Sequence, residues 1–319
     1  MNLFNRRRAA AVASVAVIAG GLVVSGFGSP SRAAAIISVD CDRGETIAGA
    51  LATADAGDTL RVSGTCHESV VVSKPVTLDG QGEATVVGPP ASTPLTGPTA
   101  FTFFVGASGV TIENFNVQRG GHAIHLSGPA TATIQGNTIT GSGGAIHLDK
   151  QSVAQILGNT ITDNAFGVNV QEGSVARIGF AAPTVDPVGN VITHNTGPGI
   201  TVGQHATAWI VGNTITQNAG TGIRIDRMSQ ADVASNRIGA NQSNGITVLN
   251  GSGLNLSGVG TVRPADDGNL AAARNGGFGV ACSVGGYVTG SVKGLTGKKG
   301  TATFKQACVN AASTAKSKR

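Results

Sequence analysis

Chemically active side chains recur in this sequence at intervals of one repeat. One set of equivalent positions is His125, His147, Asn169, Thr201, Arg224 and Thr247, and the sets two and three residues further on are Asp149, Gln171, Gly203 and Asp226, and Lys150, Glu172, Gln204 and Arg227. Removing a proton next to a uronate carboxylate needs a base and a cation that holds the developing enolate charge. We predict that His147 or Lys150 is the base and Arg224 or Arg227 the cation. The remaining substrate contacts would come from His125, Asp149, Asn169 and Asp226.

The spacing of these residues limits that chemistry. If each repeat is one coil of a stacked structure, His147 and Arg224 lie three coils apart, on the order of 15 Å. A single sugar ring could not touch both groups, although an oligosaccharide could. The simpler alternative is that Lys150 and Glu172, one coil apart, form a surface ion pair, and that the histidines are ordinary outward-facing residues.

A second candidate surface carries Trp209, the only tryptophan. An exposed tryptophan face is a good platform for a sugar ring, and Arg177, one repeat earlier, could hold a carboxylate. The alternative is that Phe180 and the segment 179–188 fold over Trp209 and form a small secondary core.

The elements that position these residues follow from a repeated phrase. Gly-Asn-Thr-Ile-Thr occurs at 136–140, 158–162 and 212–216, and close variants occur at 189–193 and 235–238. Each phrase reads as a turn followed by a short strand, and such a unit cannot close its own core, so that successive units must stack. The sequence therefore predicts an all-β parallel β-helix. The stacked asparagines are Asn137, Asn159, Asn190, Asn213 and Asn236 in one series and Asn164, Asn195, Asn218 and Asn241 in another, and we expect them to hydrogen-bond one another inside the turns.

The solenoid is predicted to be one domain over residues 36–310. Residues 36–109 form the first coils and a cap, 110–282 the regular coils, and 283–310 a C-terminal cap, followed by a basic tail at 311–319. Residues 45–56 read as an amphipathic helix that covers the open edge of the first coil. A β-hairpin made of 287–292 and 301–304 is expected to cover the last coil.

The first 35 residues have the composition of an export signal. Three arginines at 6–8 precede an apolar run from Ala9 to Val24, and small residues follow it. We therefore expect a secreted or periplasmic protein that is not held in a membrane after cleavage, and the alternative is that the segment stays as an uncleaved anchor. Four of the 22 lysines and arginines lie in this segment, so the chain without it has 18 basic and 17 acidic residues. A net charge near +1 does not favour a nucleic-acid partner.

Four cysteines remain in the mature chain. An even number in an exported protein indicates disulfides, and proximity favours Cys41 with Cys66 and Cys282 with Cys308. From the pattern of cysteines and histidines we predict no metal site.

The segment from Thr46 to Gly82 resembles the first coil of pectin-lyase-like right-handed β-helix proteins. The resemblance is carried by the helix Ala50-Leu51-x-x-Ala54, by Gly57-Asp58-Thr59-Leu60, by Gly64-Thr65-Cys66-x-Glu68 and by Lys74-Pro75-Val76-Thr77-Leu78-Asp79-Gly80-Gln81-Gly82. With the asparagine repeats it covers nearly the whole mature chain. That superfamily contains polysaccharide lyases, hydrolases, epimerases, phage tailspikes and binding proteins, so the resemblance implies a fold rather than one activity.

Two further patterns bear on the function that the resemblance allows. The calcium-dependent pectate lyases gather several acidic ligands, whereas Asp149 and Asp226 lie too far apart to share an ion, so Ca²⁺ is conceivable but no cofactor is predicted. The Asp-Pro-His-Glu string of the alginate epimerases and the Arg-x-Lys of the polygalacturonases are both missing. We therefore expect a monomer that recognises, and could cleave or epimerise, an extracellular or cell-envelope polysaccharide.

Two other functions remain open from the sequence. The first is a non-catalytic surface or periplasmic scaffold of adhesin type. The second and more remote is ice binding, because threonines at 138, 140, 160, 162, 193, 214 and 216 form a nearly regular outward Thr-x-Thr array. Threonine is also a common exposed strand residue, which explains the array without any ligand.

Overall fold

The structure of the protein is a computed structural model that describes residues 33–183, 185–256, 269, 273–305 and 308–313. The described residues from 34 onward belong to one compact unit. Residues 1–32 of the predicted export signal and residues 314–319 of the predicted tail lie outside the described residues. Among the described residues, no helix has the length and apolar character needed to cross a membrane.

The described chain winds through three parallel sheets, and each regular coil gives one strand to each sheet. Sheet A contains Ile36–Asp40, Thr59–Ser63, Thr77–Asp79, Val110–Glu113, Thr131–Gln135, Val153–Leu157, Val175–Ile178, Thr207–Val211, Gln230–Ala234, Gly253–Leu256, Tyr287–Ser291 and Val309–Ser313. Sheet B contains Thr65–His67, Thr85–Val87, Asn116–Gln118, Thr138–Thr140, Thr160–Thr162, Val191–Thr193, Thr214–Thr216 and Arg237–Gly239. Sheet C contains Val70–Val72, Phe103–Val105, Ile124–Leu126, Ile146–Leu148, Val168–Val170, Ile200–Val202, Ile223–Ile225, Ile246–Val248, Phe278–Cys282 and Gly300–Phe304. The predicted right-handed parallel β-helix is confirmed.

The core follows from the two-residue period of these short strands. In most strands of three residues the side chains alternate between the interior and the outside of the solenoid, as in Ile146–Leu148, where the two ends are buried and the middle residue is not. Identical residues stack from coil to coil, with Ile139, Ile161, Ile192 and Ile215 all fully buried. Because every coil repeats this arrangement, one apolar core runs the length of the solenoid and fixes which side chains face outward.

Two ladders of asparagines hold the turns between sheets. The Asn137 side-chain Nδ2 and backbone N–H both donate to Oδ1 of Asn159, each at 3.0 Å, and Nδ2 also donates to the Ile112 carbonyl. The same contacts repeat along both predicted series of asparagines. The structure adds one more member to each ladder, Asn269 to the first and Asn275 to the second. The asparagines are buried at 0–3 % exposure, so the ladders satisfy polar groups that would otherwise have no partner in the core.

The N-terminal end is closed by a helix, Ile47–Thr53. Thr46 caps it by accepting a hydrogen bond from the Gly49 N–H, and Ile47 and Leu51 are buried against the first coils. Two 3₁₀ turns, Cys41–Arg43 and Pro98–Ala100, flank the first coils. The predicted pairing of Cys41 with Cys66 is present in the structure, with Cα atoms 5.1 Å apart.

The C-terminal end differs from the prediction. The strands Tyr287–Ser291 and Gly300–Phe304 do not form a hairpin, because the first pairs in parallel with sheet A and the second in parallel with sheet C. The strand Val309–Ser313 then adds to sheet A, so residues 311–313 belong to a strand and not to the predicted tail. The coil pattern therefore continues to the last described residues, and the Cys282–Cys308 disulfide joins two of its segments.

Candidate functional site

The outer face of sheet C carries the predicted column of polar residues in register. Parallel pairing aligns His125, His147, Asn169, Thr201, Arg224 and Thr247, and then continues through Ala281 to Thr303. We call this surface the sheet C face. It is the most chemically varied surface of the described chain, and two separate parts of it could hold a ligand.

The first part is a cluster that joins His125 and His147 to His122, a residue that the sequence analysis did not single out. His122 Nδ1 lies 2.8 Å from His125 Nδ1, and His125 Nε2 lies 3.2 Å from Asp149 Oδ2. Because the carboxylate can only accept, His125 carries its proton on Nε2 when the ring is neutral. Its Nδ1 then accepts from His122, so that Asp149, His125 and His122 form a directional chain of hydrogen bonds.

The cluster is built in layers. The His122 and His125 rings lie edge to edge, with centroids 5.1 Å apart and planes 8° from parallel. Phe101 stacks on His125 at 4.2 Å, and His147 stacks on His122 at 4.3 Å. The pairing register places His125 in the outward column, as predicted, but its ring is only 6 % exposed. The cause is Phe101, which comes from the segment before sheet C's second strand and covers the ring.

Burial and charge act in the same direction on two of these histidines. Burial, together with the neighbouring histidines, lowers the pKa of His122 from 6.5 to about 3, although Asp149 opposes the shift. Burial and His125 lower the pKa of His147 to about 4 against the same opposition. For Asp149 burial raises the pKa, but hydrogen bonds from His125 and Ser127 and the nearby histidines outweigh it and bring the pKa to about 2. Near neutral pH the site therefore holds neutral His122 and His147 beside a carboxylate.

Two buried atoms of this cluster have no hydrogen-bond partner among the described residues. They are His147 Nδ1 and Asp149 Oδ1. In addition, one ring nitrogen from each of His122, His125 and His147 lies within 4.8 Å of the others. These three residues could hold a metal ion, which the sequence analysis did not predict. The signal was the His122-x-x-His125 pair followed by a third histidine one coil later.

Arg224 is already paired within its own coil. Its Nη2 lies 2.7 Å and its Nε 2.8 Å from Asp226 Oδ2. Asp226 is only 4 % exposed, although it pairs with a side chain of the outward column. The arginine compensates that buried carboxylate, and the register places it three coils from His147. The predicted base and cation therefore do not meet.

The remaining predicted residues of the sheet C face lie apart from one another. Asn169 is half-buried in the coil that follows His147, between the histidine cluster and the Arg224–Asp226 pair. Lys150 and Arg227 are exposed at turn positions with positive φ. Among the described residues, no ion pair joins Lys150 to Glu172, so the alternative interpretation of that pair does not hold.

The second part of the sheet C face is a depression of about 430 Å³ near the C-terminal end. Its lining includes Asn244, Thr247, Phe278, Lys299, Thr303 and Lys305. The sequence analysis missed it, because Lys299, Thr303 and Lys305 were assigned to a C-terminal cap rather than to a coil that continues the sheet C face. It combines an aromatic ring, amide and hydroxyl groups and two lysines, which are the groups that bind polar and acidic sugars.

The second candidate surface is filled by its own side chains. Phe180 is buried and packs with Val211, Trp209 and Ala234 as a small secondary core. The Arg177 guanidinium lies 5.9 Å from both the Phe180 and the Trp209 ring centres, and it donates to the Ala181 carbonyl at 2.7 Å. Trp209 thus has packing partners within the chain, which is the alternative that the sequence left open.

The threonine array on sheet B is short. Its first column is interrupted by Val191 and ends at Arg237, and its second ends at Gly239. No regular flat surface extends beyond these coils within the described part of sheet B.

Comparison with known proteins agrees with the fold. The family described as right handed beta helix region matches residues 102–179, and the family described as periplasmic copper-binding protein (NosD) matches residues 181–256. The crystal structure of pectate lyase Pel9A superposes with a TM-score of 0.58 at 12 % identity, over 89 % of this chain and 79 % of that chain. The mannuronan C-5 epimerase AlgE6 A-module of Azotobacter vinelandii gives 0.38 at 12 % identity, over 82 % and 92 %. No protein of curated function matches the sequence significantly.

Proposed function

We propose that this chain, which is a right-handed parallel β-helix protein of the pectin-lyase-like class, binds an acidic polysaccharide along the sheet C face. The observation that carries the proposal is the column from His147 to Thr303, which is polar except at Ala281 and ends in the depression of about 430 Å³. A polysaccharide is a linear repeating polymer, and a solenoid offers it equivalent side chains once per coil.

The charges on this surface favour an acidic ligand. Lys299 and Lys305 line the depression, and Arg227 is exposed beside the column. Asp226 is paired with Arg224, and Asp149 accepts a hydrogen bond from His125, which leaves Glu172 as an exposed acid beside the column. The exposed cations Lys150, Arg227, Lys299 and Lys305 outnumber these acids on the sheet C face, so a uronate carboxylate would meet lysine and arginine donors.

The same geometry supports recognition rather than β-elimination. Elimination needs the base and the charge-stabilising cation on one sugar ring. His147 and Arg224 are three coils apart, and Arg224 is occupied by Asp226. We therefore propose a binding protein of the exported compartment, to which its two disulfides also point.

The test is binding of the purified protein to polygalacturonate, alginate and a neutral glucan, with the ultraviolet absorbance of unsaturated products followed in parallel. Binding to the acidic polymers without product is expected. The double substitution Lys299→Ala/Lys305→Ala should weaken binding about tenfold at low salt, since removing two charge-assisted contacts costs roughly 1 to 2 kcal/mol. Lys293→Ala, an exposed lysine outside the depression, is the matched control.

Any of three results would contradict the proposal. Absence of binding to every polymer would favour the non-catalytic scaffold of adhesin type. Binding that is equal in the double variant and the control would place the ligand on another surface. Unsaturated product would instead establish a lyase.

A further inference from the structure

We infer that His122, His125 and His147 form a binding site for one divalent transition-metal ion of the imidazole-preferring kind, such as Zn²⁺ or Cu²⁺. The inference does not depend on the proposed glycan binding. It also does not depend on the NosD match, because residues 181–256 contain none of the three histidines. It rests on the positions and contacts of the donor atoms in the cluster.

The donor set is selective for this class of ion. Three imidazoles from three positions converge, with one nitrogen of each within 4.8 Å of the others. Imidazole nitrogen suits Zn²⁺, Cu²⁺ and Ni²⁺, whereas Ca²⁺ and Mg²⁺ require several oxygen ligands. The cluster offers one carboxylate, Asp149, and that group is hydrogen-bonded to His125. Three histidines with an open further position also match the ligand number of many zinc sites.

Asp149 prepares His125 as a ligand. Asp149 accepts a hydrogen bond from His125 Nε2–H, so the free lone pair of the ring is on Nδ1, which points at His122. A carboxylate that fixes the tautomer of a histidine in this way is a common partner of metal ligands. His122 Nδ1 donates to that lone pair in the structure, so an ion bound between the two nitrogens requires the His122 proton to move from Nδ1 to Nε2.

His147 supplies the third donor. Its Nδ1 is buried and has no hydrogen-bond partner among the described residues, which is costly for a polar atom. The ring stacks on His122 at 4.3 Å with planes 9° apart, while Phe101 closes the opposite side of the pair. A metal ion would give that nitrogen a partner, and the apolar ring of Phe101 would shield the site from water on one side.

Binding requires a limited rearrangement. The two facing nitrogens are 2.8 Å apart, whereas two nitrogens bound to one tetrahedral Zn²⁺ at about 2.0 to 2.1 Å lie roughly 3.4 Å apart. Ring lone pairs lie in the ring planes, so His147 must rotate to face an ion beside the other two rings. His147 is the most exposed of the three residues, so this rotation is the least hindered.

The experiment is titration of the chelator-stripped full chain with Zn²⁺ and with Cu²⁺, each in competition with a chromogenic chelator. One ion per chain in the micromolar range or tighter is expected, while Ca²⁺ and Mg²⁺ should not compete. The variant His122→Gln/His125→Gln/His147→Gln should bind at least a hundredfold more weakly. The matched control carries the same change at the three exposed histidines, His67, His194 and His205, and should bind like the unmodified protein.

Two further measurements keep the inference testable if the triple variant folds poorly. His147→Gln alone should bind at least tenfold more weakly and should melt normally without metal. Asp149→Asn should weaken Zn²⁺ binding about 10- to 100-fold, since Asp149 acts as a positioning residue through His125. The electron paramagnetic resonance spectrum of bound Cu²⁺ should show nitrogen couplings that change in both variants.

The outcomes separate cleanly. Equal binding by the cluster variants and the control, or no binding tighter than millimolar by the unmodified protein, would overturn the inference. The Lys299→Ala/Lys305→Ala protein should keep its metal affinity, so failure of the glycan proposal would leave this result unaffected.

Discussion

At the scale of single residues, two histidines of the cluster, His122 and His147, are held neutral. His122 is 8 % exposed and His147 is half-buried, so a charge on either ring is costly unless a partner compensates it, and the nearby Asp149 carboxylate is hydrogen-bonded to His125. This explains why the pKa values of His122 and His147 lie below that of a free histidine. The same arrangement leaves lone pairs available at neutral pH, which is what a metal ligand needs.

The lowered pKa values predict loss of stability in acid for the metal-free protein. Below pH 6.5 the unfolded chain binds protons at these two positions that the folded chain does not, so stability is complete above pH 6.5 and falls as the pH drops towards about 4 and 3. The limiting slope is about 1.4 kcal/mol per pH unit for each group, or about 2.7 for both. Urea denaturation between pH 7 and pH 4 in the presence of a chelator measures it.

The contribution of one histidine can be isolated by substitution. His147→Gln should reduce the pH slope by about half, because one of the two groups no longer titrates. His67→Gln, at an exposed position, is the control and should retain the slope of the unmodified protein. An identical slope in the His147→Gln protein would show that this ring is not responsible.

The asparagine ladders predict a large effect from one amide. Asn190 Oδ1 accepts from the backbone and side chain of Asn159, and its Nδ2 donates to the Ile156 carbonyl and to Asn213. Asn190→Ala leaves several buried groups without partners, each costing about 1 to 3 kcal/mol, so we expect a loss of about 3 to 5 kcal/mol in the free energy of unfolding. Thermal and chemical denaturation measure it.

The neighbouring Thr160→Ala substitution provides the comparison. Thr160 is exposed on sheet B and should change stability by no more than about 0.5 kcal/mol. If Asn190→Ala were equally mild, the ladder would be a consequence of the fold rather than a source of its stability.

At the scale of elements, each strand of the solenoid presents one outward side chain, and neighbouring segments decide whether it stays accessible. Phe101 covers His125 on sheet C, and Phe180 packs against Trp209 on sheet A. Both aromatic rings come from segments between strands. The irregular segments therefore convert equivalent positions of a repeat into different environments.

Trp209→Ala tests the role of the secondary core. Because the ring is half-buried against Phe180 and next to Arg177, we expect a loss of about 2 kcal/mol in stability and unchanged affinity for acidic polysaccharides. Melting curves and binding measurements on the same preparation distinguish the two effects. Lost binding with unchanged melting would instead identify a sugar platform.

At the scale of the whole molecule, each coil contacts mainly the coils before and after it, so the two ends are the places where the stack can open. The N-terminal end has the helix Ile47–Thr53 and the Cys41–Cys66 disulfide, while the C-terminal end has the Cys282–Cys308 disulfide and continued parallel coils. Both disulfides link residues 25 or 26 positions apart.

Removing the C-terminal disulfide should have a local effect. Closing a loop of this length is worth about 3.5 kcal/mol in the chain-entropy description. In a Cys282→Ser/Cys308→Ser protein, we expect faster hydrogen exchange in the strands 278–282 and 300–304. The central coils should be unchanged, because stability in a solenoid is transmitted between neighbours. Uniformly faster exchange along the chain would show that the solenoid unfolds as one unit.

Much of the fold could be predicted from the sequence because its repeat is regular. The Gly-Asn-x-Ile phrase contains the turn, the buried amide and the inward isoleucine together, so the stacking direction and the outward columns follow from spacing alone. The two disulfide pairings followed from proximity. The C-terminal hairpin was wrong, since the last strands lack that phrase and only their pairing partners reveal the parallel sheets.

The site depended on contacts that spacing does not encode. The column of His147, Asn169 and Arg224 was determined by the repeat, but the pairing of Arg224 with Asp226 depends on side-chain conformation. His122 lies outside the strands and enters the cluster only because the turn before His125 folds back on it, and Phe101 reaches the cluster from the coil before. A repeat determines what recurs in every coil, whereas a site arises where one coil differs from its neighbours, and only the tertiary structure decides which of those differences meet.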